Sequence, residues 1–84
     1  MMLQFRTKVC ASKQDNKIGQ NIKELRHKAN LTQEQLAAKM QINGCDISRG
    51  TLAKIETGIR HLYIDELKCL KEILNVAYED ILKS

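Results

Sequence analysis

Cysteine and histidine are the first residue types to weigh for chemistry, and here they do not combine. Cys10, Cys45 and Cys69 stand 35 and 24 residues apart, and His27 and His61 are far from any Cys-x-x-Cys partner. That spacing fits no zinc framework, so no metal site is expected. Reduced thiols in a cytosolic protein are the simplest account, with one or two serving as core filler. No pair of carboxylates, Cys–His arrangement or phosphate-binding glycine loop supports catalysis, so neither an enzyme nor a cofactor or small-molecule substrate is expected.

The charged side chains are more informative. The chain carries a formal charge of +4. Residues 1–30 hold seven basic and two acidic side chains, whereas residues 31–84 hold seven and eight. A basic segment on a near-neutral body suits a surface that meets phosphates, although a solvated, solubilising tail has the same composition. Phe5, Tyr63 and Tyr78 are the only aromatics. That scarcity argues against binding single strands by base stacking.

The elements that position these residues are helices. Proline is absent and glycine occurs only at 19, 44, 50 and 58, so short turns between helices are expected. With 84 residues there is room for one core. Leu3, Phe5, Thr7 and Val9 alternate with polar residues, so residues 1–16 read as a mobile arm or a short strand. The helical domain is expected over 17–84. Its first helix is predicted from Lys17 to Ala29, capped by Asn16, with Ile18, Ile22, Leu25 and Ala29 as one stripe. Asn30 is suited to a left-handed C-cap. Thr32 and Gln35 form a capping box for a second helix that buries Leu36, Ala37 and Met40. Asn43-Gly44 signals a turn. Ser48 caps a third helix over 49–57, with Leu52 and Ile55 inward and Gly58 ending it. A fourth helix is predicted over 64–74 with Asn75 at its end, and a short fifth over 77–83. No apolar run reaches membrane-spanning length, and no signal-peptide core is visible.

Two stretches make the pattern specific. Residues 22–37 (IKELRHKANLTQEQLA) and 47–60 (ISRGTLAKIETGIR) resemble the lambda-repressor-like, Xre-type helix-turn-helix family, and residues 65–82 are similar to its closing helices. The resemblance implies an all-α, five-helix domain that binds double-stranded DNA as a small transcriptional regulator, most simply a repressor, in the cytoplasm at the nucleoid. It implies that Arg49, Gly50 and Lys54 read bases, Arg49 most simply as a bidentate donor to guanine. It places phosphate contacts at Gln33, Ser48, Thr51, Thr57 and Arg60. It also implies a structural ion pair between Arg26 and Glu56. Taken alone, Arg49 and Lys54 are equally ordinary exposed charges, and Gln33 an ordinary first-turn residue. Tyr78, Ile81 and Leu82 are either core or the face of a homodimer, which in this family pairs through its C-terminal helices. A protein-interaction module on the same fold, antitoxin-like or adaptor-like, is the competing reading. One departure stands out. Ala37 and Leu52 are 15 residues apart, longer than the family's usual turn, with the surplus in 42–46.

Overall fold

The computed structural model describes residues 12–84, with side chains from Asp15 onward. Five helices follow one another: α1 (Ser12–Lys28), α2 (Gln33–Ile42), α3 (Arg49–Glu56), α4 (Ile64–Leu74) and α5 (Tyr78–Leu82). α1 packs on α3 and α5, and α2 on α3 and α4. The core between them is built from Ile18, Ile22, Leu36, Met40, Leu52, Ile55, Leu70 and Ile81, with Leu67 and Leu74 at its edge. No helix among the described residues is long and apolar enough to cross a membrane.

α1 starts five residues before the expected Lys17, and Asn16 lies inside it rather than at its cap. Tertiary contact explains the extension. Asp15, in the first turn, is buried and meets Nδ1 of His61. A Cβ on Gly58 would sit 2.9 Å from Cα of Asn16, so the exit of α3 lies directly on this turn. Ala29, expected in the apolar stripe, is exposed just past the helix end. Residues 1–11 of the expected arm lie outside the described residues.

The local signals account for most other boundaries. Oγ1 of Thr32 accepts from the amide of Gln35 at 3.1 Å, and the Thr32 amide donates to Oε1 of Gln35 at 2.9 Å. Each side chain satisfies a donor that a helix start leaves open. Oγ of Ser48 caps α3 by accepting from Thr51 N at 3.1 Å. Asn30 and Asn75 take left-handed backbone with φ of 59° and 55°, the conformation that asparagine tolerates after a helix.

Of the surplus residues only Ile42 joins α2, and the rest close tightly. Asn43 ends the helix and Gly44 turns the chain at φ 89°. The amide of Cys45 donates to Met40 O at 2.8 Å, and Nε2 of Gln41 donates to Ile47 O at 2.6 Å. Cys45 and Ile47 thereby enter the core, and the turn delivers Ser48 to the start of α3 without a separate lobe.

At the far end, Nδ2 of Asn21 donates to the carbonyls of Ile81 at 2.9 Å and Lys83 at 2.7 Å. These two bonds lock α5 onto α1. Ile81 is 0% exposed and belongs to the core, which corrects its place among the dimer candidates. The short helix turns Tyr78 and Leu82 outward instead.

Candidate nucleic-acid interface

α3 is amphipathic over only two turns. Leu52, Ile55 and Glu56 face inward. Ser48, Arg49, Gly50, Lys54 and Thr57 face solvent. Gly50, Lys54 and Thr57 follow at intervals of four and three, so they form one outer stripe with Arg49 beside its start. Arg49 and Lys54 make no ion pair or side-chain hydrogen bond among the described residues.

Gly50 has no structural need to be glycine. Its φ is not left-handed. A Cβ added there would meet only the Ser48 hydroxyl, at 3.7 Å. Glycine inside a helix costs about 0.5–1 kcal/mol relative to alanine. The fold therefore bears a cost to keep the first turn of α3 bare on its outer side.

Behind α3, Arg26 and Glu56 are joined. Nε of Arg26 donates to Oε2 of Glu56 at 2.7 Å and Nη2 to Oε1 at 3.1 Å. Nη1 of Arg26 donates to Leu31 O at 2.9 Å. Both side chains are buried. Gln33 completes the cluster, its Nε2 donating to Oε1 of Glu56 at 3.0 Å. Its side-chain amide thus serves the anchor of α3, and the sequence pattern gave no sign of that. One carboxylate links α1, α2 and α3.

The loop after α3 is held as firmly. Arg60 grips Glu66 with both terminal nitrogens, each at 2.9 Å, and Nη1 also donates to His61 O at 2.9 Å. Its guanidinium lies over the Tyr63 ring, 5.1 Å from the centroid. Glu66 is fully buried and also accepts from Tyr63 N at 3.0 Å. Arg60 thus has three of its five donors engaged within the protein. His61 is half-buried on Asp15, whereas His27 is exposed. Oγ1 of Thr57 donates back to Ala53 O at 3.1 Å. The Ser48 and Thr51 hydroxyls are 3.1 Å apart. Ile59, which sequence reasoning passed over, is 76% exposed where its amide turns back to Lys54 O at 2.9 Å. Only its position just after the third helix could have flagged it.

A second surface lies between α4 and α5. Ile64, Leu67, Lys68, Tyr78 and Leu82 line an apolar cleft of about 360 Å³.

Comparison with known proteins follows the same lines. A helix-turn-helix family model matches residues 22–81. The control protein C.BamHI of Bacillus amyloliquefaciens is 32% identical over 65 residues, covering 76% of this chain and 74% of that protein. Among solved structures, the restriction-modification controller protein C.AhdI from Aeromonas hydrophila superposes with a TM-score of 0.73 at 24% identity, over 83% of this chain and 94% of its own. The clp gene regulator ClgR from C. glutamicum gives 0.69 at 19% identity, over 87% and 86%. The DNA-binding domain of BldD gives 0.71 at 15%, over 87% and 99%.

Proposed function

Because the chain belongs to the helix-turn-helix family of DNA-binding transcription regulators, we propose that α3 enters the major groove and reads sequence through Arg49, Gly50 and Lys54. The observation that carries this reading is the bare first turn of α3. An exposed glycine that the fold does not need lies between a free guanidinium and the free ammonium one turn on. Without a side chain at 50, the helix backbone approaches the base edges closely enough for Arg49 to span guanine O6 and N7. Lys54 reaches a base or phosphate further along, and exposed Ile59 suits a thymine methyl.

The phosphate contacts divide by which donors remain. Gln33 offers its backbone amide at the positive end of α2, since its side chain serves Glu56. Arg60 keeps two free donors but acts first to hold the loop. Ser48, Thr51 and Thr57 line the same face, with hydroxyl protons that can be redirected to phosphate. Two copies paired through the Tyr78–Leu82 cleft would read half-sites about 34 Å apart. The likeness to the control protein C.BamHI favours a controlling role, most simply as a repressor, exercised on DNA in the cytoplasm.

Selection of binding duplexes from a random pool supplies the operator for the test. Against it, Arg49→Ala is expected to lose about 1–3 kcal/mol of discrimination at one base pair. Uniform weakening across all base pairs in competition assays would assign Arg49 to the phosphate backbone instead. Gly50→Ala separates fold from function in a single variant. Denaturation should show it up to about 1 kcal/mol more stable, while operator affinity falls. Undiminished affinity would mean that the backbone of α3 does not approach the groove floor.

A further inference from the structure

We propose that Gln41 is a positioning residue for sequence reading: its side-chain bond to Ile47 sets the entry of α3, and with it the bearing of Arg49 on the bases. The inference rests on the reading of α3 as the helix that enters the major groove. Gln41 stands just before residues 42–46, the stretch that exceeds the family's usual turn. Its Nε2 donates to Ile47 O at 2.6 Å, so one side chain bridges the whole surplus. Gln41 also closes the turn from within, because its own carbonyl accepts from the amide of Gly44 at 3.0 Å.

The peptide unit that Gln41 holds is the last one before α3. Ile47 precedes the N-cap, and Ser48 takes the extended backbone of a cap, with φ −92° and ψ 167°. Ile47 and Leu52 occupy the positions just before the cap and four after it, and both lie in the core, 5% and 0% exposed. A pair at that spacing fixes the angle at which a chain enters its helix. An apolar contact is not directional, however, so it does not set the tilt of the peptide plane between Ile47 and Ser48. The carbonyl that Gln41 grips lies in that plane, and a hydrogen bond is directional.

A tilt of that plane passes straight into Arg49 and Gly50, the next residues of α3. Bidentate contact to guanine needs both bonds in register, and a binding side chain must be held to within about 0.5 Å and 10–20° to act. Stability depends on Gln41 far less. The residue is exposed, and one such hydrogen bond is a small part of a domain's total. Loss of the bond is therefore expected to blur which base is read, while the fold and the phosphate contacts stay in place. Asn43 supplies the contrast. Its Nδ2 donates to Lys39 O at 2.8 Å, a bond of the same turn that ends within α2 and does not touch the entry of α3.

The test uses the full chain and measures affinity for the selected operator relative to random duplex, a ratio in which sequence-independent electrostatics largely cancel. Gln41→Met keeps the length of the side chain but cannot donate. It should lower the ratio by about fivefold or more, the lower end of what one bidentate contact contributes, with affinity for random duplex retained. Without DNA, the amides of Thr51 and Leu52, which bond to Ser48, should exchange with deuterium faster than in the parent chain. Asn43→Ala should change neither readout. Gln41→Lys, whose ammonium can donate to the same carbonyl, should restore the ratio. Should Gln41→Met not fold, Gln41→Glu, equally long and only an acceptor when ionised, takes its place. An unchanged ratio in the folded variant, or the same fall in Asn43→Ala, would overturn the proposal. Arg49→Ala run alongside separates the two failures: an unchanged ratio there overturns the reading of α3 itself, and the role of Gln41 with it.

Discussion

Glu56→Ala is expected to cost about 3–5 kcal/mol of folding stability, the range for removing one partner of a buried ion pair. The residue is 4% exposed and accepts three hydrogen bonds, two from Arg26 and one from Gln33. Without the carboxylate, a buried guanidinium keeps only the carbonyl of Leu31. The cost is that of an ion taken from water and left unpaired. A domain of this size holds only about 5–15 kcal/mol in total, so the variant sits near its unfolding threshold. Urea denaturation is the measurement. Arg26→Ala should behave similarly, and the double variant should lose much less than the two single losses combined. A loss under about 1 kcal/mol for Glu56→Ala would show that the pair contributes little.

Gly19→Ala should also destabilise, against the helix propensity of the two residues. Alanine in a helix interior is ordinarily favoured over glycine by about 1 kcal/mol. At this position, however, a Cβ would stand 2.4 Å from Ile55 O and 2.5 Å from Glu56 O. Those are backbone atoms at the end of α3, and they cannot yield by changing rotamer. The helices must separate, at a net cost of about 1–3 kcal/mol. The separation would also move the helix assigned to base reading. Calorimetry should therefore show a lower melting temperature, and operator binding should fall more than binding to random duplex. A raised melting temperature would mean that α1 and α3 do not cross this closely.

What could be read from the residues divides by distance along the chain. The Thr32–Gln35 capping box, the Ser48 cap, the two left-handed asparagines and Gly58 obey rules that act within four or five residues, and they were legible. So was the inward face of α2. The closeness of Gly19 to α3, the Asp15–His61 contact and the grip of Arg60 on Glu66 join residues from different elements. No local rule orients those. The extra turn of α1 was missed for that reason, since its support comes from the loop after α3. Ile81 was ambiguous because a five-residue helix is too short for its periodicity to choose an inward face. Arg26 with Glu56 came from resemblance alone, as two charges 30 residues apart carry no mutual signal. Of the α3 surface, the residue types were visible but not the openness around Gly50.

The two amide bonds from Asn21 to the end of α5 carry a consequence for how the domain comes apart. α1 holds α3 through Gly19 and Arg26, and the end of α5 through Asn21. Neither can fray without exposing the same central helix. Opening is therefore expected to be a single cooperative event, with backbone amides of α1, α3 and α5 exchanging with solvent deuterium at one common rate. Ligand energy captured at α3 then slows exchange throughout, as far as the last residues of the domain.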